Sequence, residues 1–186
     1  MVEQTEEYYF PDIIEEVVTR VNDYFANLSE NPFTIDFNKG IYQQVGVDRS
    51  RGNSADFGDI FFWLVMPFEE LDAKHLGYQS DVGWKLLIAS KTEANYTQEQ
   101  RQDINFIPKL IPAYNRFIEE LKDEDKLCLP EKIIHTYKLL PYWGGGDVSA
   151  PGQPNIWGEC YDVVELSNIR SRKQILRLTP LFLNNL

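Results

Sequence analysis

Side chains of the types that do chemistry are present in this chain, but few stand at spacings that chemistry needs. Two carboxylate pairs, Asp56 with Asp59 and Glu69 with Glu70, have the types used by two-metal nucleases and by glycosidases. An acidic chain offers such pairs by chance, and no lysine, histidine or substrate-stacking order accompanies them. The two histidines, His75 and His135, belong to no HxxxH or HExxH pattern, so neither is expected to bind a metal. Cys128 and Cys160 form no CxxC and read as buried thiols of a reducing compartment. Gly144-Gly145-Gly146 lacks the Lys-Ser or Lys-Thr of a phosphate loop, and no GxSxG nucleophile motif occurs. No catalytic residue, cofactor site or metal site is therefore expected.

Charge is the more informative property. The net charge is −11, and all of it lies in residues 1–72, with fifteen acids against four bases; residues 73–186 hold fourteen of each. An acidic chain is unsuited to general nucleic-acid binding, which needs a basic surface. From residue 166 onward no acid occurs, while Arg170, Arg172, Lys173 and Arg177 cluster. That cluster is either a solvated strand flank or a docking patch for an acidic face, including the first half of a neighbouring copy. Beyond it, the apolar Leu181-Phe182-Leu183 is expected to dock into the core or onto a neighbour. Tyr142 and Trp143, ahead of the glycine triplet, are candidate contact residues because aromatics dominate interface hot spots.

These residues must be positioned by a modest set of elements. A hydrophobic fraction of 43% is ample for a packed core. Ile13, Ile14, Val17, Val18, Val21, Tyr24, Phe25 and Leu28 recur at helical spacing, predicting a helix over 11–28 that Ser29-Glu30-Asn31-Pro32 stops. A short strand is expected over 33–37, a turn at Asn38-Lys39-Gly40, a partner strand over 41–47 and a polar loop over 48–56. Residues 57–68 read as a strand buried on both faces, 69–80 as a connection and 81–91 as the next strand. Thr97 with Gln100 resembles a capping box. Pro108 and Pro112 predict a kink near Ile107 before a regular helix over 112–121, with 119–126 as its solvated end. Strands are expected over 132–140, 161–166 and 174–179, the first two separated by a long Gly/Pro loop.

The fold class is thus α+β: a mostly antiparallel sheet flanked by two main helices, with a long loop and a C-terminal β extension. One domain is expected over 1–186: an acidic leader (1–10), an α+β core (11–140), the loop (141–155), then C-terminal strands and the apolar tail (156–186). The opening Met-Val-Glu-Gln-Thr-Glu-Glu has no signal-peptide character, and the apolar run 60–68 is too short to span a bilayer as a helix, so synthesis in the cytoplasm without membrane attachment is expected.

The amphipathic opening helix 11–28, the strand pair 57–68 and 81–91, and the helix ending Pro112-Ala113-Tyr114-Asn115-Arg116-Phe117-Ile118-Glu119-Glu120-Leu121 together resemble the tail-terminator and head–tail connector proteins of tailed bacteriophages, including those of crAss-like phages. The resemblance covers 11 to about 140, in element order rather than in motif; the segment from Pro141 departs from the minimal pattern. It implies a non-enzymatic virion protein of the neck or tail. The implied partners are its own copies in a six- or twelve-fold ring, adjacent neck or tail proteins, and DNA that passes through without specific binding. An acidic lumen would keep exiting DNA from adhering. Two other classes stay open: a small cytoplasmic binding or regulatory module, and a hydrolase or nuclease using Asp56, Asp59 or His135.

Overall fold

A computed structural model describes residues 5–7, 9–28, 33–41, 58–72, 79–93, 95–129, 135–143 and 160–177. The expected α+β class is what it shows. Strand β1 (Thr5–Glu7) precedes helix α1 (Phe10–Ala26), whose first turn holds Pro11. Phe10, Ile13, Ile14, Val17, Val18, Val21 and Phe25 form its buried stripe, recurring at the three- and four-residue steps that return to one helix face. Tyr24 and Leu28, expected on that stripe, are exposed. Tyr24 turns outward, where the Arg116 guanidinium lies 4.2 Å from its ring centroid.

The second helical region starts as its sequence predicts. Thr97 Oγ1 accepts from the Gln100 amide (3.2 Å) while Gln100 Oε1 accepts from the Thr97 amide (2.9 Å), closing the capping box that opens α2 (Gln98–Arg101). The kink expected near Ile107 is replaced by a π-helical segment, Gln102–Leu110, that runs directly into α3 (Ile111–Lys122). Pro108 sits inside that segment. In an α-helix its ring would strike the carbonyl four residues back; the wider π turn changes that spacing, so the chain stays helical through the proline. Pro112 falls in the first turn of α3, where the missing N–H matters least.

Two long strands, β5 (Gln79–Thr92) and β8 (Cys160–Arg177), pair antiparallel along the middle of the sheet. On the far side of β5 lie β3 (Ile60–Val65) and β4 (Glu69–Asp72), both antiparallel to it, separated by a cis Met66–Pro67 peptide. Beyond β3 lies β2 (Ile35–Gly40), paired parallel to it. β6 (Leu127–Cys128), β7 (Thr136–Trp143) and β1 all pair antiparallel with β8.

Several strand boundaries differ from the sequence pattern for identifiable reasons. Asn38-Lys39-Gly40 makes no turn: it continues β2 opposite Trp63, Leu64 and Val65. Because β2 and β3 run parallel, the chain needs a long crossover rather than a hairpin between them. Ile41 already lies outside a strand, and most of the expected strand 41–47 and the polar loop 48–56 lie outside the described residues. The connection expected over 69–80 contains β4 and the start of β5; Glu69-Glu70-Leu71-Asp72 shows no apolar alternation that would mark a strand. The strands expected at 161–166 and 174–179 are one strand as far as Arg177. The polar Ser167-Asn168 interruption becomes a bulge: Asn168 adopts φ 59°, and the register shifts between Trp84/Ile169 and Leu86/Leu166. β7 extends through Trp143, so the first three residues assigned to the Gly/Pro loop are strand, while 144–159 lie outside the described residues.

Strand β3 is buried on both faces, as expected. Ile60, Phe62 and Leu64 join Val82, Trp84, Leu86, Ile88, Val164, Leu166 and Ile169 beneath α1 and the π/α3 helix. Phe61, Trp63 and Val65 point the other way, into a second cluster with Leu87, Ala89, Tyr161 and Val163. The period-two alternation of a strand thus divides one apolar run between two cores.

Candidate functional site

The interface candidates from the sequence are scattered. Trp143 pairs with Tyr161 across the sheet, and its ring lies 6.2 Å from Trp63, so it packs against the second core. Tyr142 precedes it in β7. Arg170, Arg172, Lys173 and Arg177 all lie on β8, and Arg170 is exposed. In register, Arg172 stands opposite Asp81 and Cys128, Lys173 opposite Ser80 and Leu127, and Arg177 opposite Thr5. The acidic leader is therefore a strand neighbour of the basic segment within one chain. Leu181, Phe182 and Leu183 lie outside the described residues.

Of the carboxylates and histidines considered for chemistry, Asp59 and His135 have structural partners. Asp59 Oδ2 accepts from the Thr34 amide (3.1 Å) and from its hydroxyl (3.4 Å). Asp36 Oδ2 accepts from the Gly58 amide. Together they tie the start of β3 to the start of β2. Gly58 suits this close approach, since a Cβ there would come within 2.8 Å of the Thr34 carbonyl oxygen. His135 Nε2 lies 2.9 Å from the Tyr114 hydroxyl. Glu69 and Glu70 are in β4, while Asp56 and His75 lie outside the described residues. Among the described residues no group of three or more His, Cys, Asp or Glu is placed to hold a metal ion.

The polar groups that the sequence reading missed are buried. Asp162, on β8, is fully inaccessible. Its Oδ2 accepts from Asn105 Nδ2 (2.8 Å) and its Oδ1 from Arg101 Nη1 (3.3 Å). Arg101 Nη1 also donates to Thr92 Oγ1 (2.7 Å) and Nη2 to the Glu93 carbonyl (2.8 Å). Asn105 Nδ2 further reaches the Lys91 carbonyl, and Ser90 Oγ donates to the Asp59 carbonyl (3.1 Å). The network pins the start of the π segment to the ends of β5 and β8. A second set joins the helices. Glu120 and Glu124, expected in a solvated helix end, are buried beneath Arg20 of α1, which reaches them at 2.9 and 2.8 Å. Arg116 also pairs with Glu120, and Lys126 with Glu16. Helical spacing had shown which faces are apolar, but only packing shows which polar residues lie between two elements.

The remaining feature is an exposed one. Tyr114 on α3 meets Tyr137 on β7, ring centroids 4.8 Å apart. Ile104 and Ile107 on the π segment and Tyr137 and Leu139 on β7 are large apolar side chains left exposed. Burial raises the Tyr114 phenol above its usual value; burial first, then the neighbouring Tyr114, does the same for Tyr137. A raised folded-state value stabilises the fold fully below the unfolded phenol value, about pH 10, and the benefit is lost as pH rises through the folded value. Chemical unfolding followed between about pH 8 and about pH 11 is expected to show an alkaline loss of stability that Tyr137→Phe reduces; an unaltered alkaline limb in that variant would contradict the assignment.

No protein-family model and no curated protein matches this chain. Among the described residues no helix is long and apolar enough to cross a membrane.

Proposed function

We propose that this chain is a non-enzymatic virion structural protein, a ring-forming component of the neck or tail of a tailed bacteriophage, made in the host cytoplasm. In this reading it lines or seals the DNA channel and joins neighbouring rings. One observation carries the proposal beyond the resemblance in element order: among the described strands the sheet is open, and its outer strands are unlike. Among the described strands β2 pairs only with β3, and β7 only with β8. Two different edges on one subunit suit head-to-tail contacts, which generate a ring when the rotation closes.

Charge supports an orientation. The outward face of α1 carries Asp12, Glu15, Glu16 and Asp23, all exposed, and the end of α3 adds Glu119 and Asp123. Lys39 answers Asp12 and Glu15, and Lys126 answers Glu16, leaving acids in excess. A helical layer facing the channel would repel the DNA backbone. Mass measurement and electron microscopy of purified material test the ring: closed particles of several copies are expected, and a strict monomer at all concentrations, alone and with portal or tail partners, overturns it. Reversing the α1 acids (Asp12→Lys, Glu15→Lys, Glu16→Lys and Asp23→Lys together) is expected to produce salt-sensitive retention on duplex DNA that the native chain lacks. Equal retention by both would contradict the channel-facing orientation.

A further inference from the structure

The exposed apolar residues of the helical layer and of β7 belong to one place. Asn105 bonds Asp162 near one end of the π/α3 helix, and Tyr114 meets Tyr137 further along it. These two contacts lay the helix along β8 and its outer neighbour β7. Tyr137 and Leu139 stand opposite Leu166 and Val164, whose side chains belong to the helix-side core, so both face the helix. Ile107, Ile111, Tyr114 and Ile118 recur at four- and three-residue steps along that helix; Ile111, Tyr114 and Ile118 are partly covered by the core, while Ile107 is 59% exposed. On β7, Tyr137 and Leu139 are 39% and 41% exposed. An apolar cleft therefore runs between an edge strand and a helix, beside a strand edge with no partner among the described strands. Such an edge accepts an extended segment through main-chain hydrogen bonds, with alternate side chains filling the cleft.

We infer that this cleft receives the uncharged apolar segment Leu181-Phe182-Leu183 of a second copy of the chain. Distance excludes the same chain. Tyr137 lies opposite Leu166, eleven residues before the end of β8 at Arg177 and so about 36 Å away along the strand. Phe182 is five residues beyond Arg177 and reaches at most about 18 Å from it. Pairing is limited to Thr136–Leu140, because Pro141 has no N–H to offer. The inference rests on the self-association proposed above and assigns it a contact.

The test is photocrosslinking of the full chain with benzoylphenylalanine in place of Phe182, using an equal mixture of unlabelled and nitrogen-15-labelled chains. Crosslinks from position 182 to residues 104–118 or 135–143, in peptides of mixed isotope, are the expected result. Leu139→Lys is expected to cut their yield by about tenfold or more, with an unchanged unfolding midpoint because Leu139 is already exposed. Crosslinks confined to one isotope, crosslinks to another surface, or a yield indifferent to Leu139→Lys overturn the inference. If the mass shows several copies while crosslinks fall elsewhere, the ring reading stands and this contact falls; a single-chain mass removes both.

Discussion

Replacing Arg101 with methionine is expected to destabilise the chain by about 3–5 kcal/mol, the usual consequence of leaving one member of a buried ion pair without its partner. Asp162 is fully inaccessible, and without the guanidinium its Oδ1 loses a charged donor. Thr92 Oγ1 and the Glu93 carbonyl lose theirs as well. Methionine fills much of the volume, so the loss is electrostatic rather than a cavity. Adding Asp162→Leu to Arg101→Met is expected to restore much of the loss, since replacing both partners by apolar groups is often neutral. Urea unfolding of the two single variants and the double variant forms a cycle that separates the pair from its surroundings. A single-variant loss below about 1 kcal/mol would show that the network is not what holds the π segment to the sheet.

Phe117→Ala is expected to remove about 3–5 kcal/mol as well, through a cavity. Phe117 is fully buried at the middle of the helix–sheet interface, its ring 5.4 Å from Phe62 and 6.3 Å from Trp84. Trp84 is held in turn by its indole N–H on Ser171 Oγ (3.2 Å) and by Phe10 at 5.6 Å, so the neighbours have little freedom to collapse into the space. Ile107→Ala, on the same helical run, is expected to change stability by less than about 0.5 kcal/mol, because that side chain is largely in water. Thermal or denaturant unfolding of the two variants side by side checks both figures. Equal losses would mean that Ile107 is covered and would remove the cleft described above.

Much of the fold was legible from spacing. The stripe Ile13, Ile14, Val17, Val18, Val21 and Phe25 marks α1, the capping box at Thr97 marks the start of α2, and the apolar run around Phe62 marks a strand buried on both faces. These signals are local: helix and strand periods decide which residues share a face, and a cap needs only its own turn. The candidate site was less legible. Trp143, read as a candidate contact residue, packs on Trp63, and the basic residues of β8 run beside β5, β6 and the acidic β1. The exposure of Ile107 has no counterpart in the linear pattern, since an isoleucine at helical spacing reads as core whichever way it faces.

By itself, the sequence determined the α+β class, the two helical regions, the acidic bias of the first 72 residues and the apolar character of 181–183. Only the tertiary structure decided that β2 runs parallel to β3, that β8 continues through Asn168, that Pro108 sits in a π segment, and that Glu120, Glu124, Arg101 and Asp162 are buried in ion pairs. The physical reason is range. Periodicity and capping act within a turn or two of the chain, whereas strand direction and the burial of a charge depend on partners far away in sequence: Arg20 meets Glu120 across 100 residues, and Arg101 meets Asp162 across 61.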